Sequence, residues 1–413
     1  MNGYEHCMEQ GEACMQGGRA SEACAWFAQA ASERPDAFPA HTRLGLAHMQ
    51  CGDYERAIEA FECALVLRPG APVVTLRMGQ CYAASNRLQA AIRFLGQAVE
   101  LQPMSVEAWV ELGNALQKQG RVDEGLECQR QALRLDPGNA VAVHNMGLCL
   151  YNDRDLRPAE QAFRKALEMA PDSELTACFL GIVLEHQGKS AEAGPVLERA
   201  CRHSAFNRCL VDSVRYALGQ AGDARFFSNT ADLLRDAVSQ ARLDGLFMEF
   251  GVYHGNSLAI IADCTDSLVH GFDSFEGLPE GWFVGEGKAV SLEEGGAYST
   301  GGRIPDTPAN TRLHRGWFQD SLPPFLEANP GPAAFINIDC DLYSSTRMVF
   351  KHLAERIGPG AVIVFDEYFC YPRWREHEYR AFQEFIAQTG LKYEYLSFSY
   401  FTAQAAIRIT EGG

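Results

Sequence analysis

Glu249, Gly251, Gly255 and Ser257 lie in the run Phe247-Met-Glu-Phe-Gly-Val-Tyr-His-Gly-Asn-Ser257, and Asp273 follows 24 residues after Glu249 in Gly-Phe-Asp-Ser-Phe. Glycines so placed let a strand turn sharply into a helix and let a ligand approach the backbone, and an acid at the tip of the next strand can take two ribose hydroxyls. The spacing therefore predicts a nucleotide-type cofactor site at the tips of two adjacent parallel strands. The glycines are four apart rather than in G-x-G-x-x-G, and Glu249 puts a carboxylate inside the strand tip itself. A pyrophosphate would be repelled there, whereas a cofactor carrying an ammonium or sulfonium would be attracted. The pattern points to S-adenosylmethionine rather than NAD, and the missing third glycine also disfavours a dehydrogenase.

More acids follow at expected strand ends: Asp339 with Asp341, and Asp366 with Glu367. So many carboxylates at one sheet end either repel, hold protons or gather a cation. Oxygen ligands without cysteine suit a hard ion such as Mg2+, which could hold vicinal hydroxyls and lower the pKa of one. Asp341 and Asp366 could instead cap the helices after them. His254, His270 and His314 stand near strand ends, where a histidine either satisfies backbone groups or moves protons; His254, in the glycine run, is the catalytic candidate. Arg373, Trp374 and Arg375 either meet an anionic or sugar-like substrate or begin a solvated helix.

The elements that must position these residues are short apolar strands alternating with helices. Strands are expected at about 246–250, 269–273, 311–315, 334–339, 361–366, 391–399 and 401–409, with helices near 257–263, 318–327, 343–356 and 375–388. This is a Rossmann-like α/β domain with a mostly parallel seven-stranded sheet over 245–413, preceded by helical linker segments over 207–244. The glycine-rich insertion between Glu276 and Asn310 reads as a lid over the site.

Residues 1–206 repeat with a period of 34: Gly11, Gly45, Gly79, Gly113, Gly147 and Gly181 keep one register, as do Ala30, Ala64, Ala98, Ala132, Ala166 and Ala200. Prolines recur at 35, 69, 103, 137 and 171, where they end the second helix of each unit. The array resembles a six-unit tetratricopeptide solenoid, a surface for a protein or peptide partner or for self-association. In the fourth unit Gly125 and Gln129 replace the usual small and bulky residues.

Net charge is −17, carried by both halves, which makes nucleic acid and anionic membranes poor partners. Fourteen cysteines include no C-x-x-C pair, and the chain start lacks a basic flank and apolar core, so a cytoplasmic location is expected.

Five ordered blocks, Glu-Phe-Gly-Val-Tyr-His-Gly-Asn-Ser, Phe-Asp-Ser-Phe-Glu-Gly-Leu-Pro-Glu, Gly-Trp-Phe-Gln-Asp-Ser-Leu-Pro, Ile-Asp-Cys-Asp-Leu-Tyr-Ser-Ser-Thr and Val-Phe-Asp-Glu-Tyr, resemble the macrocin O-methyltransferase family of sugar methyltransferases. The resemblance implies a class I S-adenosylmethionine-dependent enzyme with a divalent metal near the substrate hydroxyls. It assigns Glu249, Gly251, Tyr253, Gly255 and Ser257 to the methionine end and Asp273 with Ser274 to the ribose. It places Asp339 beside cofactor and metal, Asp366 and Glu367 on the metal, and Asp341 as general base. The family usually has two aspartates where this chain has Asp366-Glu367. The alternative is an adaptor whose repeats do the work beside a degenerate α/β domain.

Overall fold

The computed structural model describes residues 3–282 and 296–411. The centre of the insertion read as a lid, 283–295, lies outside the described residues. Among them, six helix pairs run from Gly3 to Cys201, and a further helix, Ala205–Gln220, follows.

The 34-residue period has a steric origin. In each pair the recurring glycine of the first helix faces the bulky residue of the second. A Cβ on Gly11, Gly45 or Gly147 would come within 2.4, 2.4 or 2.6 Å of the rings of Phe27, Phe61 or Phe163. Each of these rings is fully buried, a gain of roughly 1.5–3 kcal/mol apiece. The fourth unit keeps the fit by other chemistry: buried Gln129 fills the place opposite Gly113, and its amide nitrogen donates to the Val110 carbonyl at 3.0 Å.

Two compact units result, Met1–Asn145 and Met146–Gly413, so the last two repeats share a unit with the sheet. Within the second unit one apolar core joins Phe163, Leu184 and Val214 to Phe226, Ile336 and Phe398. Polar ties cross the same seam. The Tyr395 hydroxyl lies 2.7 Å from those of Tyr216 and Tyr368. Asp153 accepts from the Phe226 amide at 3.1 Å and from Arg225 at 3.2 Å. Ser213, on the helix Ala205–Gln220, accepts from the Cys370 amide at 2.8 Å.

The strands are β1 (Arg225–Phe226), β2 (Leu246–Phe250), β3 (Val269–Asp273), β4 (Thr311–Arg315), β5 (Ala333–Ile338), β6 (Val362–Phe365), β7 (Lys392–Ser399) and β8 (Gln404–Thr410). Their order is β1-β7-β8-β6-β5-β2-β3-β4. Pairing is parallel except where β8 meets β6 and β7. The sheet thus has eight strands where seven were expected, because Arg225–Phe226, read as part of a helical stretch, pairs with Ser397–Phe398. Two residues carry too little periodicity to show as a strand in sequence. No helix of the described residues is long and apolar enough to cross a membrane.

Ser213→Val removes the acceptor of the Cys370 amide in the loop after β6, and a buried N–H left unpaired costs about 1–3 kcal/mol. A correspondingly lower urea midpoint is expected; an unchanged midpoint would show that the loop does not lean on the repeat-side helix.

Candidate active site

The strand order reverses between the parallel neighbours β2 and β5, with β3 and β4 added on one side and β6 on the other, and there the site opens. The Asp339 amide donates to the Phe250 carbonyl and the Gly251 amide to the Phe272 carbonyl, at 2.8 and 3.0 Å. Gly251 has φ +90°, and a Cβ on it would fall 1.7 Å from the Asp339 carbonyl oxygen, so no other residue fits. Gly255, at φ +78°, opens the helix Asn256–Asp263, whose first turn holds Ser257.

Asp273 ends β3 and braces this loop. One oxygen accepts from the Val252 and Tyr253 amides at 2.8 Å each. The other accepts from the Phe275 amide at 2.6 Å. Tyr253 and Phe275 are held at φ +48° and +60°, strained for side-chain-bearing residues. Three of roughly four accepting positions are therefore taken by backbone amides. Ser274 serves its own turn, accepting from the Glu276 amide at 3.1 Å.

Glu249 is fully buried in β2. One oxygen accepts from the Asn337 side chain at 2.8 Å, and Oε2 has no hydrogen-bond partner. Burial first, then the fields of Asp366 and Asp273, push its pKa up to about 8.

At the ends of β5 and β6 the acids crowd. Burial, then Asp366, raises Asp341 to about 7. Burial raises Asp366 to about 6, against hydrogen bonds from Gln404 and Asp339. Asp339 is raised well above the usual range by burial and by the field of Asp366. Glu367 is raised likewise by burial and by Asp366. Asp341 stands at φ +60°. It does not cap the next helix, Tyr343–Leu353, which begins at Leu342 without a side-chain cap.

Other candidates separate. His254 lies against Tyr253 with the rings tilted at 46° and their centroids 3.9 Å apart, and Tyr253 meets Tyr298 edge-on at 5.6 Å. Tyr298 feels Asp341, Glu367, Asp339 and Asp366. His270 and His314 pair with each other at 3.0 Å and pack on Phe325, a structural arrangement. Arg373 pairs with Glu376 at 2.9 Å, Arg375 with Asp212 at 2.6 Å, and Trp374 is buried against Tyr216 and Tyr379. Trp374 is thus part of the loop's packing, whereas the two ion-paired arginines keep about half of their side chains exposed.

Sequence reading missed Asn337, Gln404 and Glu378. Asn337 and Gln404 sit in strands as isolated polar residues, visible only once their partners Glu249 and Asp366 are in place. Glu378 has a sequence signal: it shares the apolar stripe of the helix Glu378–Thr389 with Ala381, Phe382 and Phe385. Among the described residues no three His, Cys, Asp or Glu side chains converge as ligands of one ion.

Residues 3–213, just over half of the chain, match the family model of the cilia and flagella-associated protein 70 C-terminal domain, and the chain belongs to that family through its repeats. Residues 248–368 match the model of a methyltransferase domain. The chain is similar to the 8-demethyl-8-(2,3-dimethoxy-alpha-L-rhamnosyl)-tetracenomycin-C 4'-O-methyltransferase of Streptomyces olivaceus, 32% identical over 33% of this chain and 59% of that one. It is also similar to the mycinamicin III 3''-O-methyltransferase of Micromonospora griseorubida, 30% identical over 36% of this chain and 66% of that one. It therefore spans less than two thirds of the length of either relative. Among solved structures, MamA from residue 41 onward, from Desulfovibrio magneticus RS-1, is 22% identical over 42% of this chain and 98% of that one, with a TM-score of 0.40.

Two outcomes follow from this geometry. Gly251→Ala is expected to abolish binding of S-adenosylhomocysteine in calorimetry, since a Cβ cannot coexist with the Asp339 carbonyl; retained binding would show that the two loops separate freely. Glu249 ionises near 4.5 when exposed and near 8 when folded. The folded state then holds the extra proton between those values, and stability falls as pH rises through that window, by up to about 1.4 kcal/mol per unit from this one group. Glu249→Gln should flatten that slope in urea titrations at pH 5 to 8; an identical slope in the variant would assign it elsewhere.

Proposed function

We propose that this chain transfers a methyl group from S-adenosylmethionine to a hydroxyl oxygen of a sugar or glycosylated small metabolite. The observation that carries the reading is Glu249: a fully buried carboxyl with an unpartnered oxygen, set in β2 beside a glycine loop at the sheet's reversal point. Such a group has room for a cation and none for a phosphate. The relatives, named for O-methylation of glycosylated compounds, support the acceptor class.

When bound, S-adenosylmethionine supplies an electrophilic methyl carried on a sulfonium. Glu249 faces its positive end, with Gly251, Tyr253, Gly255 and Ser257 forming the surrounding backbone and Asp273 taking a ribose hydroxyl. Ser274 and Asp339 complete the cofactor side. Asp341, raised to about 7 by burial and Asp366, suits removal of the acceptor's proton near neutrality. His254 is the second proton-transfer group, its ring tilted against that of Tyr253.

A magnesium ion on Asp339, Asp366 and Glu367 is the second reading; it requires these carboxyls, which do not converge as a ligand set among the described residues, to draw together when the ion binds. The repeats, residues 1–206 by period, are read as a partner-binding or self-associating surface. They offer a cavity of about 620 Å3 lined by Trp109, Leu112, Leu116, Arg121, Cys128 and Arg134. The free thiols of all fourteen cysteines support a reducing, cytoplasmic setting.

S-adenosylhomocysteine is expected to bind the full chain and to release up to about one proton near pH 7, as its α-ammonium, the cation it shares with S-adenosylmethionine, drives Glu249 to ionise. Calorimetry in two buffers of different ionisation enthalpy measures both quantities. Asp273→Ala should lose the binding. A wild-type chain that binds no S-adenosylhomocysteine would favour the adaptor reading. Methyl transfer to a glycoside panel, run with EDTA and again with added magnesium, decides the metal: full activity in chelator removes Asp339, Asp366 and Glu367 from that role.

A further inference from the structure

Cys51 caps the helix Phe38–Gln50 and is exposed. Gly52 after it takes the left-handed region at φ +76°, and the Gly52 and Asp53 amides donate back to the Met49 and His48 carbonyls at 3.0 Å each. Cys24, half-buried on the neighbouring helix Ala20–Glu33, meets this turn: its Sγ lies 3.9 Å from Cys51 Sγ and 3.6 Å from His48 Nδ1. A shift of about 2 Å between the sulfurs, taken up at the exposed helix end where Cys51 stands, reaches the roughly 2.0 Å of a disulfide. Asp53 is engaged elsewhere. Its Oδ1 accepts from the Arg56 amide at 3.3 Å as N-cap of the helix Tyr54–Leu67, and Oδ2 lies 3.4 Å from the Arg56 guanidinium and 3.7 Å from His48 Nδ1. Burial lowers the His48 pKa in spite of Asp53, so the ring is neutral near pH 7 and able to take a proton. Burial, then Cys51, pushes the Cys24 thiol up to about 11. An oxidant therefore starts at Cys51, the exposed partner.

We propose that Cys24 and Cys51 form an oxidisable dithiol site: exposed Cys51 attacks a low-molecular-weight disulfide such as oxidised glutathione, and Cys24 then displaces the glutathione to close a Cys24–Cys51 disulfide between the first two repeats. In the first step the Cys51 sulfur bonds to one glutathione sulfur while the S–S bond of the reagent breaks and one glutathione thiolate leaves. In the second the Cys24 sulfur bonds to the Cys51 sulfur, its proton passes to His48 Nδ1, and the other glutathione thiolate leaves. The protons lost by Cys51 and Cys24 are taken up by the two glutathione thiolates, and the pair of electrons lost by the chain reduces the reagent. In a reducing compartment the pair rests as two thiols and closes when oxidant rises, the use to which most cytosolic disulfides are put. Closed, it fastens the second helix of the first repeat to the first helix of the second. The site lies in the repeats and does not rest on the methyl-transfer reading.

The test uses the full chain, incubated with oxidised glutathione, quenched by alkylation and digested for mass spectrometry. A cross-linked Cys24–Cys51 peptide, two hydrogens lighter than the reduced pair, is expected to form about tenfold faster or more than any other cysteine pairing, because the two sulfurs already touch. Dithiothreitol should reverse it. Cys24→Ser should leave Cys51 held as the mixed disulfide with glutathione, and Cys51→Ser should leave Cys24 unmodified while exposed Cys63 still reacts. The proposal is overturned if the folded parent forms no Cys24–Cys51 cross-link, if it forms the cross-link no faster than the urea-unfolded chain does, or if Cys24 in Cys51→Ser takes up glutathione as readily as Cys63.

Discussion

Like-charged carboxyls gathered at one end of a parallel sheet are the constraint on which the second unit turns. Glu249, Asp339, Asp341, Asp366, Glu367 and Glu378 occupy the ends of three neighbouring strands and one helix, and burial raises the pKa of each. Ionising them all in such a place is prohibitive. The fold aims the side-chain amides of Asn337 and Gln404 at Glu249 and Asp366, and the backbone N–H of Glu367 at Glu378. A resting site in that condition is stabilised by whatever positive charge enters it, which is the electrostatic basis for a sulfonium cofactor.

Backbone geometry supplies the precision. Gly251 is pressed against the Asp339 carbonyl, and Asp273 gathers three amides from two loops. Tyr253, Phe275 and Asp341 keep left-handed backbones that cost about 1–3 kcal/mol each. Such costs persist only where surrounding contacts enforce them, and they cluster here within the loops after β2, β3 and β5. Conformational freedom that would let the acids spread apart has been removed.

The repeats enter this arrangement from an unexpected side. Glycine holes filled by phenylalanine or leucine explain why the array keeps a strict period. Its last two units share an apolar core with the sheet, and Ser213 and the Tyr216–Tyr395–Tyr368 hydroxyls tie the helix Ala205–Gln220 to the loop after β6. That loop follows directly on Glu367, so a helix continuing the repeats helps to shape the acceptor side.

The sequence alone determined what depends on local spacing. The 34-residue period, the strand and helix alternation, the glycine loop and the strand-tip acids were all legible, because helix packing and strand–turn–helix geometry write fixed intervals into the chain. Even Gln129 was visible as a departure, though not its bond to the Val110 carbonyl. What depends on residues far apart in the chain was decided only by the tertiary structure. The strand Arg225–Phe226 exists because Ser397–Phe398 lies beside it. Asp273 is occupied by amides that sequence treats as free, and the charge state of the acids depends on Asn337, Gln404 and Glu378 arriving from other elements. The physical reason is that hydrogen bonds and desolvation act over a few ångströms of space, and only folding sets which residues share it.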